Sequence, residues 1–166
     1  MHPVTDTYIV IAKMLLIAKP ETAEQFEEYF DLRWRILRAP WEQPRGSEKD
    51  EYEAVADHVT VRDQDGRLLG IGRLHRNSEG EAQIRYMAVE ANCRGLGVGR
   101  AIIKKLEELA CARGAARVLL NARDNVVGFY QRFGYSVVGP GPTLFETVKH
   151  TTMEKNLQGD DETIGA

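Results

Sequence analysis

The chain has 166 residues, 43% of them hydrophobic and 28% charged, with a net charge of −3 and two cysteines, Cys93 and Cys111. These values describe one globular domain with a sizeable core. They exclude a nucleic-acid binder that works by bulk positive charge, and a disulfide-stapled scaffold. The run YIVIAKMLLIA is short and broken by Lys13, so it is not a bilayer span. MHPVTDT lacks a basic region leading into an apolar one, so no secretory signal is expected, and the cysteine usage fits a reducing cytoplasm.

In chain order, YIVIAKMLLIAK reads as strand, continuous or with a break near Lys13, and Pro20 is its stop. From Thr22 to Arg38 the residues Phe26, Tyr29, Phe30, Trp34 and Leu37 fall at helical spacing, with Thr22 as the N-cap. APWEQPRGSEKDE is a loop expected to end in a short second helix. HVTVRD and RLLGIGRLH flank an Asp65-Gly66 hairpin turn; NSEG makes the next turn, and EAQIRYMAV is a further strand. A helix follows with Ile102, Ile103, Leu106, Leu109 and Ala110 on one face, stopped by Gly114. RVLLNA reads as a buried parallel strand. NVVGFYQRF is a short helix closed by Gly134, and YSVVG and HTTMEKNL are two last strands. The ending QGDDETIGA, residues 158–166, is polar and expected to be disordered. The expected fold is therefore a single α/β (α+β) domain over residues 1–157: a central mixed, twisted sheet of about six to seven strands flanked by about four helices.

CRGLGVGRAI, residues 93–102, places Gly95, Gly97 and Gly99 at alternate positions between Arg94 and Arg100, at the start of a helix. Bare amides at a helix start suit phosphates and other anions. A Walker loop fails because Gly99 is followed by Arg100 and Ala101. A dinucleotide fingerprint fails because the third glycine comes one position early and the loop lies past mid-chain. What remains is Arg-x-x-Gly-x-Gly between a strand and a helix. A tight turn without a ligand is the bland alternative.

The stretch from Arg94 to Gly99 resembles the coenzyme A pyrophosphate loop of the GNAT superfamily of acetyltransferases. IRYMAV before it is similar to the family's fourth strand, NVVGFYQRFGY to its Tyr-bearing helix, and the order of elements matches from about Met14 to Leu157. The ending FETVKHTTMEK is similar to the small bacterial ElaA-like branch. The resemblance implies an acetyl-CoA-dependent N-acetyltransferase that moves the acetyl group directly to a primary amine. Acetyl-CoA or coenzyme A is then the co-substrate, and no metal is needed. The implied cofactor residues are Met87, Ala88 and Val89, whose main chain pairs with the pantetheine arm and polarises the thioester carbonyl. To these are added Arg94, Gly95, Leu96, Gly97, Val98, Gly99 and Arg100 around the pyrophosphate, with Asn121, Asn125, Phe129 and Tyr130. The helix macrodipole contributes roughly 0.3–1 kcal/mol per nearby anion. For Asn125 a helix cap is the alternative role, and for Phe129 simple packing.

Tyr130 matches the family's acid for the leaving thiolate. Against a free thiol, a free phenol is a weaker acid by about 2 kcal/mol. The alkyl amine must also lose a proton, at a cost of about 4–5 kcal/mol at neutral pH. Candidate bases are Glu146, His150, His58, His75 and Glu81; Glu146 and His150 are preferred because residues four apart in an extended segment share a side. His58 and His75 are expected to face solvent or cap strand ends. Trp34, Gln83 and Arg85 are candidate acceptor contacts, with core packing and a structural ion pair as their respective alternatives for Trp34 and Arg85. Cys93, at a helix start beside Arg94, is read as a bystander. The expected partner is a small-molecule amine rather than nucleic acid or membrane, in a cytoplasmic protein, and a homodimer is compatible with the reading. A protein amine as acceptor, or a non-catalytic acyl-CoA-binding sensor on the same fold, are the rival functions.

Overall fold

The computed structural model describes residues 14–157. These contain strands β1 (Leu16–Ala18), β2 (Asp57–Arg62), β3 (Leu68–Ser78), β4 (Glu81–Val89), β5 (Arg117–Arg123), β6 (Ser136–Leu144) and β7 (Val148–Asn156), with helices α1 (Ala23–Leu37), α2 (Val98–Ala112) and α3 (Val127–Gln131). The strands form one sheet in the order β1-β2-β3-β4-β5-β7-β6. The mixed α+β architecture and the strand number are those expected; three α-helices are described rather than four. The missing helix was expected in the proline loop. At the loop's end, where it was expected, Gly46 takes φ 101 and residues 45–48 and 51–55 form only turns; nearer the start, Pro40 opens a 3₁₀ segment, Ala39–Trp41, that Glu42 ends at φ 56. The expected strand before residue 14 and the tail from 158 lie outside the described residues. Among the described residues no helix is long and apolar enough to cross a membrane.

The chain gathers into two compact units. The first comprises residues up to Glu51, His58–Gly72 and Tyr86–Lys105; the second comprises Tyr52–Asp57, Arg73–Arg85 and residues from Leu106 onward. In the first, α1 opens on a capping box: the Thr22 hydroxyl accepts from the Gln25 amide, and the Gln25 side chain accepts from the Thr22 amide. β1 pairs antiparallel with β2, from Leu16 opposite Arg62 to Ala18 opposite Thr60. The core joins Tyr29, Leu32, Leu68, Ile71 and Ala88, with Phe26, Phe30, Ile36 and Leu37 against it. Full burial of such side chains is worth about 1.5–3 kcal/mol each.

In the second unit β5 pairs in parallel with the first half of β4, from Arg117 opposite Glu81 to Leu120 opposite Ile84, where the ladder stops. On its other side β5 runs antiparallel to β7, from Arg117 opposite Asn156 to Arg123 opposite His150. β6, at the edge, carries Pro140 and Pro142 and pairs with β7 through two irregularities, as suits an edge strand. Leu106 and Ala110 of α2 are buried, as are Val118, Leu120, Tyr135 and Met153. The C-terminus of α2 closes as the glycine predicts. Gly114 takes φ 81, its amide reaches the Cys111 carbonyl, and the Ala115 amide reaches the Ala110 carbonyl. Those two bonds are a Schellman motif.

Candidate active site

The glycine loop is built in the first unit. After β4 ends, the Glu90 amide bonds the Leu69 carbonyl and the Cys93 amide bonds the Glu90 carbonyl, so a 3₁₀ turn, Ala91–Cys93, sits against β3. Arg35 of α1 grips the Glu90 carboxylate at 2.6 Å and Asp31 at 2.8 Å. These two carboxylates push the Arg35 guanidinium pKa further up. Cys93 is buried and its thiol points to the Asn92 side chain at 3.2 Å, which fits the bystander reading.

Gly95 and Gly97 adopt φ 83 and φ 82, and Arg94 to Gly97 are exposed. An added Cβ at either glycine would meet no described atom within 4 Å. Backbone conformation, not crowding, is therefore what requires glycine at these two positions. The first helical bond of α2 runs from the Ala101 amide to the Gly97 carbonyl. The amides of Val98, Gly99 and Arg100 precede it and have no acceptor within the helix.

Sequence reading passed over Gly70. A Cβ there would lie 2.6 Å from Val98 Cγ1, 3.0 Å from Ile102 Cδ1 and 3.2 Å from the Ala88 carbonyl. The start of α2 thus lies directly on the backbone of β3 because residue 70 has no side chain. A glycine in an otherwise buried strand is the signal that could have found it.

β4 alternates in burial along its length, and Gln83, Arg85 and Met87 are all half-buried while Ala82, Ile84, Tyr86 and Ala88 are buried. Just past the end of the β5 ladder, Tyr86 takes φ 57, in the left-handed region. For a bulky aromatic residue this is a strained conformation, worth about 1–3 kcal/mol, that persists only where surroundings hold it. Met87, Ala88 and Val89 follow directly.

In the second unit Tyr130 lies near the end of α3. The Gly134 amide bonds the Gln131 carbonyl, the Tyr135 amide bonds the Tyr130 carbonyl, and Gly134 takes φ 90. This is again a Schellman motif, and its apolar contact is the edge-on pair of Tyr130 and Tyr135 rings, 6.0 Å apart. The aromatic-Tyr…Gly-aromatic spacing therefore has a local physical cause. Phe129 packs edge-on to Tyr130 at 5.2 Å. Burial pushes the Tyr130 phenol up to about 12, against the opposing charge of Arg123. Asn121 on β5 accepts from the Thr152 hydroxyl at 2.7 Å, beside Gly141. Asn125 is exposed in the 3₁₀ turn Asp124–Val126, whose flanking caps are Arg123 and Val126 without side-chain bonds, so the capping role does not hold.

Glu146 and His150 do not share one extended segment. Phe145 and Glu146 have φ 52 and φ 64, and the Thr147 amide bonds the Leu144 carbonyl, so Glu146 is the second residue of a two-residue hairpin turn. β7 starts only at Val148, and the alternation argument fails at Glu146. Glu146 is exposed; His150 is half-buried, with Nδ1 at 3.1 Å from the Pro142 carbonyl and 3.0 Å from the Val148 carbonyl. Carbonyls only accept, so Nδ1 carries the proton and, in the neutral ring, Nε2 is the basic atom.

The two other candidate histidines, His58 and His75, are buried, contrary to expectation. His58 Nδ1 lies 2.8 Å from the Tyr29 hydroxyl, among the rings of Phe26, Tyr29 and Phe30. His75 stacks on Tyr52 at 4.5 Å. Arg73 Nη2, which can only donate, approaches His75 Nδ1 at 3.1 Å, and His75 Nε2 lies 3.0 Å from Asn77 Oδ1. The Asn77 amide then donates to Glu81 and Gln83. The roles fit only a neutral His75 protonated on Nε2, with both nitrogens engaged. Trp34 is half-buried; its indole donates to the Gln43 carbonyl at 3.0 Å and Arg45 lies over its ring at 4.1 Å, so it fastens the loop after α1.

The sheet, the glycine turn onto α2 and the Tyr-bearing helix together define a GNAT-type acyltransferase architecture. The Acetyltransferase (GNAT) domain family matches residues 41–157, and the chain belongs to that family. An N-acetyltransferase of Bacillus subtilis (strain 168), YjcF, itself uncharacterized, is 33% identical over 141 residues, covering 85% of this chain and 98% of its own. Among solved structures, Escherichia coli ElaA superposes with a TM-score of 0.71 at 20% identity, over 86% of this chain and 98% of its own. An aminoglycoside 6'-N-acetyltransferase complexed with coenzyme A gives 0.72 at 18% identity, over 86% and 97%. These structures share its fold.

Proposed function

We propose that this GNAT acyltransferase takes its acetyl group from acetyl-CoA and passes it to a primary amine of a small molecule. The observation that carries the reading is the left-handed pair Gly95 and Gly97 in an exposed turn, directly before the amides of Val98, Gly99 and Arg100, which have no acceptor within the helix. Pyrophosphate oxygens accept from those amides, assisted by the helix dipole and by Arg94 and Arg100. The main chain of Met87–Val89 pairs with the pantetheine arm and donates to the thioester oxygen as negative charge develops on it. Asn121, Asn125 and Phe129 contact the arm.

His150 Nε2 accepts the amine proton, directly or through one water, while the Pro142 and Val148 carbonyls orient the ring. Main chain thus orients the base, and Glu146, at the hairpin tip, contacts the acceptor. The amine nitrogen attacks the thioester carbon, the C–S bond breaks, and Tyr130 protonates the departing sulfur. With a phenol near 12, that last transfer is uphill by about 5 kcal/mol against a free thiol, so it must coincide with C–S cleavage. Trp34, Gln83 and Arg85 are the proposed acceptor contacts.

The test is a panel of alkyl amines, including polyamines, amino acids and aminoglycosides, incubated with acetyl-CoA while thiol release is followed. Amine-dependent release supports transfer. Coenzyme A binding without release for any amine would leave the sensor reading, and acetylation confined to lysine-containing peptides would move the acceptor to protein.

A further inference from the structure

Arg33 lies in the middle of α1 and is fully buried. Its guanidinium is 4.2 Å from the centre of the Tyr86 ring, 4.8 Å from Tyr29 and 5.0 Å from Phe30. Nη1 donates to the Glu48 carbonyl at 3.0 Å, and Nη2 to the Tyr29 hydroxyl at 2.7 Å. Tyr29 is itself placed by the Gly72 carbonyl at 3.3 Å and by His58 at 2.8 Å. The plane of the guanidinium is thus set by groups other than Tyr86. Arg38, also buried and bonded through Nε to the Ser47 carbonyl, lies 5.6 Å from the same ring. The Tyr86 hydroxyl reaches Asp50 at 3.4 Å.

We infer that Arg33 is a positioning residue: its grip on the Tyr86 ring holds that residue in the left-handed conformation and so sets the direction of the Met87–Val89 main chain. The inference rests on the acetyl-transfer reading for its effect on rate, though not for its effect on the backbone. A bulky side chain abandons φ 57 when released, because an ordinary extended conformation is sterically easier. Release at residue 86 reorients every peptide group after it. A flat cation bonded at its edges and stacked on a ring resists that movement in a way an aliphatic chain of equal volume does not. The same guanidinium ties Glu48, in the loop after α1, to the ring, so displacement of that loop is transmitted to the strand.

The experiment compares Arg33→Met, Tyr86→Gly and the double variant. It measures kcat, acetyl-CoA affinity and hydrogen exchange at the amides of Met87–Val89. Glycine adopts the left-handed region unaided. Arg33→Met in the parent should speed exchange at those amides about tenfold and lower kcat about tenfold. In the Tyr86→Gly background the same change should alter each by less than twofold. Equal effects in both backgrounds, or unchanged exchange in Arg33→Met, would overturn the proposal. If Arg33→Met does not fold, Arg33→Lys, which keeps the charge and loses the flat fork, replaces it in both arms with the same expectation. Should no amine turn over, the exchange measurements still decide for or against positioning, and only the acetyl-transfer reading falls.

Discussion

Tyr130 releases its proton only near pH 12, because ionising a phenol within the protein costs solvation that free tyrosine retains. Its protonated form is therefore present throughout the working range, and Tyr130→Phe should lower kcat roughly 10²–10⁴-fold with acetyl-CoA affinity little changed. Single-turnover kinetics with a binding isotherm check this; full activity in the variant would make Tyr130 a packing residue. A stability trend follows as well. An unfolded tyrosine ionises near 10 and the folded one near 12, so the unfolded state loses protons first and native stability falls as pH rises between those values. Denaturation midpoints followed from pH 8 to 12 should decline less steeply in Tyr130→Phe. At Gly97 the conformation itself is at stake. Gly97→Ala places an L-residue at φ 82, a strain of roughly 1–2 kcal/mol, or about 2–8 °C in Tm for a chain of this size. Gly97→Asn should cost less, since asparagine visits this region more readily, and thermal denaturation of the two variants side by side is the check.

Two Schellman caps end α2 and α3, but only the second bears on the proposed chemistry. Gly134→Ala would strain φ 90 and bring a Cβ within 3.3 Å of Lys155. The Tyr135–Tyr130 cap bond should loosen, and kcat should fall by more than the loss of folded protein explains, as activity normalised to native fraction would show. At this scale much was legible. The bounds of β4 follow from strict alternation, and the face of α2 from its apolar spacing, because burial on one side leaves a period that sequence records. The Thr22 N-cap and both glycine stops are local chemistry, so they too could be read; the partner that completes the capping box, Gln25, was not. What escaped depends on partners distant in sequence. Arg33 sits beside the apolar stripe of α1, yet charge marks it as surface until three rings are folded around it. His58 and His75 were placed outside for the same reason. The turn at Phe145 and Glu146 carries neither asparagine nor glycine, and its left-handed residues have no sequence signature.

For the molecule as a whole, a bound donor is a stabilising term. On the proposed reading, coenzyme A at a hundred times its dissociation constant should add about 2.7 kcal/mol, hence roughly 5–11 °C in Tm. Differential scanning with and without coenzyme A measures it. A null result at saturating ligand would remove the donor assignment while leaving the fold intact. The net charge of −3 opposes an anionic ligand, so the proposed donor site relies on local attraction from Arg94 and Arg100. Replacing both by glutamine should erase most of the salt dependence of coenzyme A affinity while moving Tm of the free protein little.

The contact between Gly70 and Val98 also bears on how such a chain can change over generations. Any side chain at 70 collides with Val98, so Gly70→Ala alone is an overpacked dead end, of order 1–3 kcal/mol. If Val98 shrinks first, the worst collision goes, and what is left is the tight approach to Ile102 Cδ1 at 3.0 Å and to the Ala88 carbonyl at 3.2 Å. The two positions are 28 apart in sequence (98 − 70), yet their contact makes the order in which they change matter. Lineages carrying alanine or serine at the first position should carry a residue smaller than valine at the second, acquired earlier, and reconstructed intermediates with the opposite order should fold poorly.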